Sequence, residues 1–222
     1  MSVWTIVVAG GSGRRFGTAK QYEHLDARRV IDVSLQVAER CSDGVVAVVP
    51  ADDVAREGGV AGGDTRSASV RAGLAAVPDD VDVICVHDAA RPLASPEIYD
   101  RVVDAVVAGA DAAIPGIAVT DTIKQLDRVV GGGDDTEEDL LGVVVATPDR
   151  SRLIAVQTPQ AFRAEALRSA HSAESDATDD AALVEGAGGR VVVVRGDATN
   201  FKITEPDDLA VARRILTGGS GG

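Results

Sequence analysis

Residues 7–22 read VVAGGSGRRFGTAKQY. A short apolar run breaks into Gly10, Gly11 and Gly13, and the cations Arg14, Arg15 and Lys20 follow at once. A strand that ends in glycines presents backbone N–H groups, and full cations beside them make a cradle for an anion, most often a phosphate. The stretch is not a P-loop, which needs Gly-Lys followed by Ser or Thr. It is also a poor dinucleotide fingerprint, because Gly11, Gly13 and Gly17 give GxGxxxG where GxGxxG is required. The next apolar strand ends at Val49 and Pro50, with no acid at its tip to take a ribose. Several cations around one loop suit a triphosphate better than a monophosphate.

The fold follows by working outward from this stretch. Residues 5–9 form a first strand, and 30–41 place Ile31, Leu35 and Ala38 on one helical face. Residues 45–49 make an apolar strand closed by Pro50. A helix over 64–77 aligns Val70, Leu74 and Val77, and a strand over 81–86 runs into HDAARP at 87–92. Ser95 and Pro96 start a helix as N-cap and first helical residue. Strands are expected at 111–119 and 191–194. Helices are expected at 163–173, at 178–187 with a stop at Gly188 and Gly189, and from Glu205 and Pro206 to Leu216. Alternating strands and helices predict an α/β fold, a mostly parallel sheet with helices on both faces. Such sheets bind ligands at the carboxyl ends of their strands. GGSGRR, HDAARP and NFKIT all follow strands and are expected to meet in one crevice.

One region breaks this rhythm. Residues 120–160 hold TDTIKQLD, the acidic loop GGGDDTEED, LGVVVATPDR and LIAVQTP. They read as a protruding β-hairpin arm whose apolar strand surface needs a cover, and a second subunit is the simplest one.

With 222 residues, of which 45% are hydrophobic, the chain is expected to form a single domain over 1–217, with 218–222 a disordered tail. The net charge of −13 disfavours nucleic acid and anionic membranes as partners. The apolar runs are too short to span a bilayer and the start of the chain has no signal-peptide pattern, so a cytoplasmic location is expected. Cys41 and Cys85 are expected as buried, reduced thiols. Only three lysines occur, Lys20, Lys124 and Lys202, in a chain that otherwise uses arginine.

In order, VAGGSGRRFG…KQY, GGDTRSASV, HDAARP, DTIK, TPQAF and NFKIT resemble the 2-C-methyl-D-erythritol 4-phosphate cytidylyltransferase family over roughly residues 4 to 216. The resemblance implies a nucleotidyltransferase with a Rossmann-like sheet. Such an enzyme transfers CMP from CTP to methylerythritol phosphate and releases pyrophosphate, in the non-mevalonate route to isoprenoids. Carried over by position, Ala9, Gly10, Gly11, Gly13, Arg15, Lys20, Gly63, Asp64, Ser69 and Ala89 align with the CTP site, with Arg66 close by. Arg15, Lys20 and Lys202 align with the catalytic cations. Asp88, Arg91, Thr158 and Lys202 align with the surroundings of the reacting phosphates, and Asp88 with the acid that helps hold a divalent metal, Mg²⁺. Thr122 and Arg150 align with arm residues that reach the acceptor across a homodimer. The chain departs from the family in its first loop: only four residues separate Arg15 from Lys20, and Ala19 stands where a Pro is usual.

Rival readings remain at this stage. A cytidylyltransferase for D-ribitol 5-phosphate is disfavoured by Ala89 and Ala90, since HDSVRP is expected there. A nicotinamide-dependent oxidoreductase is disfavoured by the glycine spacing. The short loop keeps a non-catalytic CTP-binding homologue in view. Locally, Asp88 can cap the turn before Arg91, His87 reads as a hydrogen-bonded histidine, Ser69 as a helix-surface residue and Asn200 as a turn residue. Lys124 reads as an arm surface lysine, Asp179 and Asp180 as a helix start, and Arg14 as either a phosphate contact or a surface ion pair.

Overall fold

The computed structural model describes residues 1–10, 19–127, 142–172, 176–177 and 179–218. Gly11, Gly13, Arg14 and Arg15, the acidic part of the arm loop and the tail 219–222 lie outside the described residues. The chain divides into two compact units, one made of Met1–Gly116 with Val156–Gly222 and the other of Ile117–Ala155.

The first unit opens with β1 (Val3–Val8), a short hairpin of β2 (His24–Leu25) and β3 (Arg28–Arg29), and α1 (Val30–Cys41). Then come β4 (Gly44–Val49), α2 (Val54–Glu57), β5 (Val60–Ala61), α3 (Arg66–Leu74), β6 (Val83–Asp88), α4 (Pro96–Val107) and β7 (Ala112–Ala118). The second unit carries β8 (Gln125–Leu126) and β9 (Val144–Ala146), which pair antiparallel. The chain ends with β10 (Ile154–Val156), β11 (Gln160–Arg163), α5 (Ala164–His171), α6 (Asp180–Gly186), β12 (Val191–Arg195) and α7 (Pro206–Gly218).

The central sheet runs β12-β7-β11-β6-β1-β4-β5, and β10 is its eighth strand. Strands β1, β4, β5 and β6 are mutually parallel, and β12 is parallel to β7. The chain leaves β1 toward β4 and β5, then returns to place β6 on the other side of β1. That reversal opens a crevice at the carboxyl ends of β1 and β6.

Side chains alternate across this sheet. Ile6, Val48, Ile84, Val86 and Phe162 pack on one face with Val70 and Leu74 of α3 and Leu167 of α5. Val7, Val49, Cys85 and Ala113 pack on the other with Ile31 of α1 and Tyr99 and Val102 of α4. All six residues of β6 are buried, as a central strand covered on both faces requires. Gly73 lets α3 lie close on β1, since a Cβ there would stand 2.5 Å from the Ile6 side chain. A smaller cluster of Leu25, Val30, Val33, Ile203, Leu209 and Ala212 seats α7 against the segment that follows the glycine loop.

The arm expected at about 120–160 overlaps the second unit, Ile117–Ala155. Two sequence expectations need correction. Residues 160–163 are a strand, antiparallel between β6 and β7, so α5 starts at Ala164. Four residues beginning with a polar Gln160 leave too little alternation to read. Cys41 is only half-buried, whereas Cys85 is buried as expected, and both are free thiols.

Candidate active site

The crevice is a cavity of about 300 Å³ lined by the ends of several elements. Ala9 and Gly10 follow β1, Asp88 to Ala90 end β6, and Gly63 to Arg66 with Ser69 surround the start of α3. Lys20 and Gln21 come from a 3-10 turn, and Lys202 from the segment before α7. The ends of the strands are knitted together: the Ala9 amide donates to Val48 O (2.7 Å) and the Ala89 amide to Val8 O (3.0 Å). HDAARP and NFKIT thus contribute to one wall, as does Gly10 of GGSGRR, whose other residues lie outside the described ones.

Ser69 shapes the loop before α3. Its Oγ accepts from the Gly63 amide (3.2 Å) and donates to the Thr65 carbonyl (3.0 Å). The side chain is therefore buried, not on a helix surface. A Cβ on Gly63 would stand 2.5 Å from Ala68, so the loop closes this tightly only with glycine. Thr65 caps α3 by accepting from the Ala68 amide (3.1 Å).

The turn bearing Lys20 is anchored on both sides. Lys20 Nζ donates to Ile203 O (2.9 Å). Two residues on, Tyr22 donates to Asp53 (2.7 Å), and the Arg56 guanidinium lies 4.5 Å from its ring centroid. Burial and the Asp53 carboxylate push the Tyr22 phenol up to about 12.

Asp88 is the electrostatic centre. Lys202 Nζ donates to its Oδ2 at 2.7 Å, and Arg66 Nε reaches its Oδ1 at 3.5 Å. Burial opposes the ionised form, but Lys202, Arg66 and Arg91 overcome it and hold the carboxyl well below the usual carboxylate range. Arg66 makes its stronger bond elsewhere, from Nη1 to Asp180 Oδ2 at 2.6 Å. Asp180 is fully buried and also accepts from His171 Nε2 (3.0 Å).

Behind Asp88 the hydrogen bonds run in one direction. The Arg91 carbonyl can only accept, so His87 Nε2 carries the proton between them (3.2 Å). His87 Nδ1 must then accept from the Thr158 hydroxyl (3.0 Å), which in turn accepts from the Asp88 amide (3.0 Å). Burial pushes the His87 imidazole down to about 4, so it is neutral at ordinary pH. The reading of His87 as a hydrogen-bonded residue matches this geometry.

Arg91 and Thr158 stand outside the cavity wall. The Arg91 guanidinium donates to the carbonyls of Asn200 (2.8 Å) and Val156 (3.3 Å), and Thr158 is buried with its hydroxyl engaged as above. Asn200 is no mere turn residue. It is fully buried, and its Nδ2 donates to Thr158 O (2.9 Å). Asp179 does cap a helix, accepting from the Ala182 amide (2.9 Å). Thr122 and Arg150 are exposed residues of the second unit, where Arg150 donates to Thr120 O. Lys124 bonds Thr147 across the β8–β9 pair. Sequence reasoning placed Asp180 at a helix start, where α6 does begin, but missed its pairing with His171 and Arg66. The only available signal was a second acid in TDDA and a histidine nine residues before it.

Among the described residues, no group of three or more His, Cys, Asp or Glu side chains could hold a metal by itself. A single carboxylate beside room for phosphates does fit Mg²⁺, which keeps several waters and takes one or two protein carboxylates. It does not fit a structural zinc. No helix among the described residues is long and apolar enough to cross a membrane.

A cation-lined crevice at the switch point of a largely parallel sheet marks an α/β protein that takes an anionic, phosphate-bearing ligand. Residues 3–218 match the 2-C-methyl-D-erythritol 4-phosphate cytidylyltransferase family, and the chain belongs to that family. It is 43% identical to the enzyme of that name from Rhodococcus jostii, over 98% of this chain and 96% of the relative. The Streptomyces avermitilis enzyme is 38% identical over 95% and 90%. Among solved structures, the cytidylyltransferase of this name from Thermus thermophilus superposes with a TM-score of 0.79 at 31% identity, covering 98% of this chain and all of that one. The chain is thus a cytidylyltransferase of non-mevalonate isoprenoid synthesis, and the non-catalytic and oxidoreductase readings fall away.

Proposed function

We propose that this cavity joins CTP to 2-C-methyl-D-erythritol 4-phosphate by in-line displacement. An acceptor phosphate oxygen forms a bond to the α-phosphorus of CTP, the bond from that phosphorus to the bridging oxygen breaks, and pyrophosphate leaves. The attacking oxygen is already anionic, so no general base is required, and the neutral, inward-facing His87 agrees with that. Catalysis is then positioning plus charge neutralisation.

The observation that carries the reading is the convergence of Lys20, Arg66 and Lys202 on one cavity of a chain with net charge −13. Lys20, together with Arg15, takes the charge of the leaving pyrophosphate. Lys202 meets the acceptor phosphate and the growing charge on the α-phosphoryl group. Gly10, Gly63, Asp64, Ser69 and Ala89 shape the nucleotide side, and Asp88 the side shared with acceptor and Mg²⁺. When bound, Mg²⁺ supplies further neutralisation of the phosphate oxygens. Arg91 and Thr158 hold this wall from behind.

The arm completes the assembly. None of the described residues of 117–155 is buried, and Ile123, Val143, Val144, Val145 and Ile154 expose large apolar surface. A second copy covers it in a homodimer, in which Thr122 and Arg150 of each protomer serve the acceptor site of its partner. Pyrophosphate release with CTP and Mg²⁺ tests the activity. Release with methylerythritol phosphate, and none with D-ribitol 5-phosphate or without acceptor, is expected. Release with ribitol phosphate alone overturns the acceptor assignment.

A further inference from the structure

The buried groups that the reaction does not use converge on Asp180. It is fully buried at the start of α6 and holds two partners, Arg66 Nη1 at 2.6 Å and His171 Nε2 at 3.0 Å. Only one of them, Arg66, reaches the cavity, where its Nε stands 3.5 Å from Asp88 Oδ1. Arg66 Nη2 is buried with no hydrogen-bond partner among the described residues. An arginine paired with a carboxylate frequently forks onto it with two parallel bonds. Here it makes one short bond to the carboxylate outside the cavity wall and only a long one to the carboxylate within it.

We infer that Asp180 is a positioning residue for the reaction, acting through Arg66 on Asp88. By drawing the guanidinium toward α6, it keeps Arg66 from closing on Asp88 in a two-bond fork. Asp88 Oδ1 then keeps lone-pair capacity facing the cavity, and Lys202 on Oδ2 remains its main partner. Without the Asp180 charge, Arg66 turns to the nearest remaining anion, which is Asp88. The carboxylate is then sequestered and Lys202 loses its fixed place, although neither residue has been altered. The unpartnered Nη2 is the group that gains a bond in that rearrangement, which makes it favourable.

The inference rests on the reading of Asp88 and Lys202 as acceptor-side groups, so the experiment includes Asp88→Asn as a reference. Asp180→Asn keeps the size of the side chain and is compared with Arg66→Gln and with the double variant. Thermal unfolding reports the cost to the fold, and calorimetric titration with CTP and with methylerythritol phosphate reports binding apart from turnover. Asp180→Asn is expected to lower kcat/KM for the acceptor on the order of 10- to 100-fold, as when a group that orients a functional ligand is removed. CTP affinity is expected to stay within about threefold, and Arg66→Gln should partly restore turnover in the double variant by removing the misplaced cation. Equal loss of CTP and acceptor binding in Asp180→Asn, in step with lost thermal stability, overturns the proposal in favour of a structural ion pair. So does a double variant whose losses simply add. If Asp88→Asn leaves acceptor binding and turnover unchanged, the reading of Asp88 itself fails, which this reference separates from failure of the Asp180 proposal. Should Asp180→Asn not fold, Arg66→Lys puts the same question. A shorter cation held by Asp180 but unable to fork should keep acceptor KM near the parent value, and a KM increase as large as that of Arg66→Gln overturns the proposal.

Discussion

The two compact units use the same apolar residues in opposite ways. In the first, Val7, Val48, Val49, Val70, Ile84 and Phe162 have no exposed surface, and the buried polar groups behind the pocket, such as Asp88, Thr158 and Asn200, find partners in a crowded interior. In the second, Val143, Val144 and Val145 leave more than half of their surface exposed. The difference shows where each unit gets its order. The first is stabilised within one chain, whereas the second presents apolar surface that the proposed homodimer would cover. A substitution should therefore read out as stability or turnover in one unit and as assembly in the other.

The sharpest contrast comes from the centre of the first unit. Phe162→Ala removes a fully buried ring that packs in the sheet core and should cost about 3–5 kcal/mol, seen as a lowered urea midpoint. A loss below 1 kcal/mol would mean that the core around β11 tolerates a void and does not differ from the arm. Lys202→Ala comes next. By analogy with lost transition-state donors, turnover should fall on the order of 10²- to 10³-fold. CTP affinity should be nearly kept, and an unchanged kcat would remove Lys202 from the chemistry.

Asp208 gives a smaller, pH-dependent effect. It accepts from the Thr204 and Glu205 amides (2.7 and 2.9 Å) at the start of α7. Burial opposes its charge, but these bonds win and lower its pKa. The stabilisation is therefore present above the ordinary carboxylate range and is lost as pH falls through the depressed value. Asp208→Asn should cost about 1 kcal/mol at neutral pH, as for a lost helix cap. Unfolding curves of parent and variant should converge near the acid end, and a gap that persists there would rule out the carboxylate as its source. The smallest effect on the folded chain is expected at Val144→Glu, within about 0.5 kcal/mol, as for surface substitutions. Sedimentation velocity should nonetheless show a shift from dimer to monomer. A dimer that survives this charge removes the arm from the interface.

The same contrast explains what could be read in the sequence. GVVAVV and VICVHD announce their strands because a two-sided sheet selects long apolar runs, and HDAARP after β6 and NFKIT after β12 mark where strands deliver polar groups. Gln160–Arg163 escaped because a four-residue strand that opens on a buried glutamine carries almost no pattern. The pairing of Asp180 escaped for another reason. An acid beside a helix N-cap looks like a response to the helix dipole, and its partner Arg66 lies 114 residues away, a pairing that only the tertiary fold supplies. Lys20 could be read as a loop residue, but the sequence places Asp64 in a helix that begins only at Arg66, and the tight closure around Ser69 depends on that later start.

Asp88 is wired twice, once through its amide and once through its carboxylate. Its amide is tied through Thr158 and His87 to the Arg91 carbonyl, a chain with one permitted direction and no ionised member. Its carboxylate belongs to a separate ionic circuit with Lys202 and Arg66. In the proposed reaction the side chain would exchange one charged partner for another, as phosphates arrive and leave, while the neutral circuit keeps the main chain at the end of β6 where it was. Such a site would relax electrically within a turnover without being rebuilt before the next.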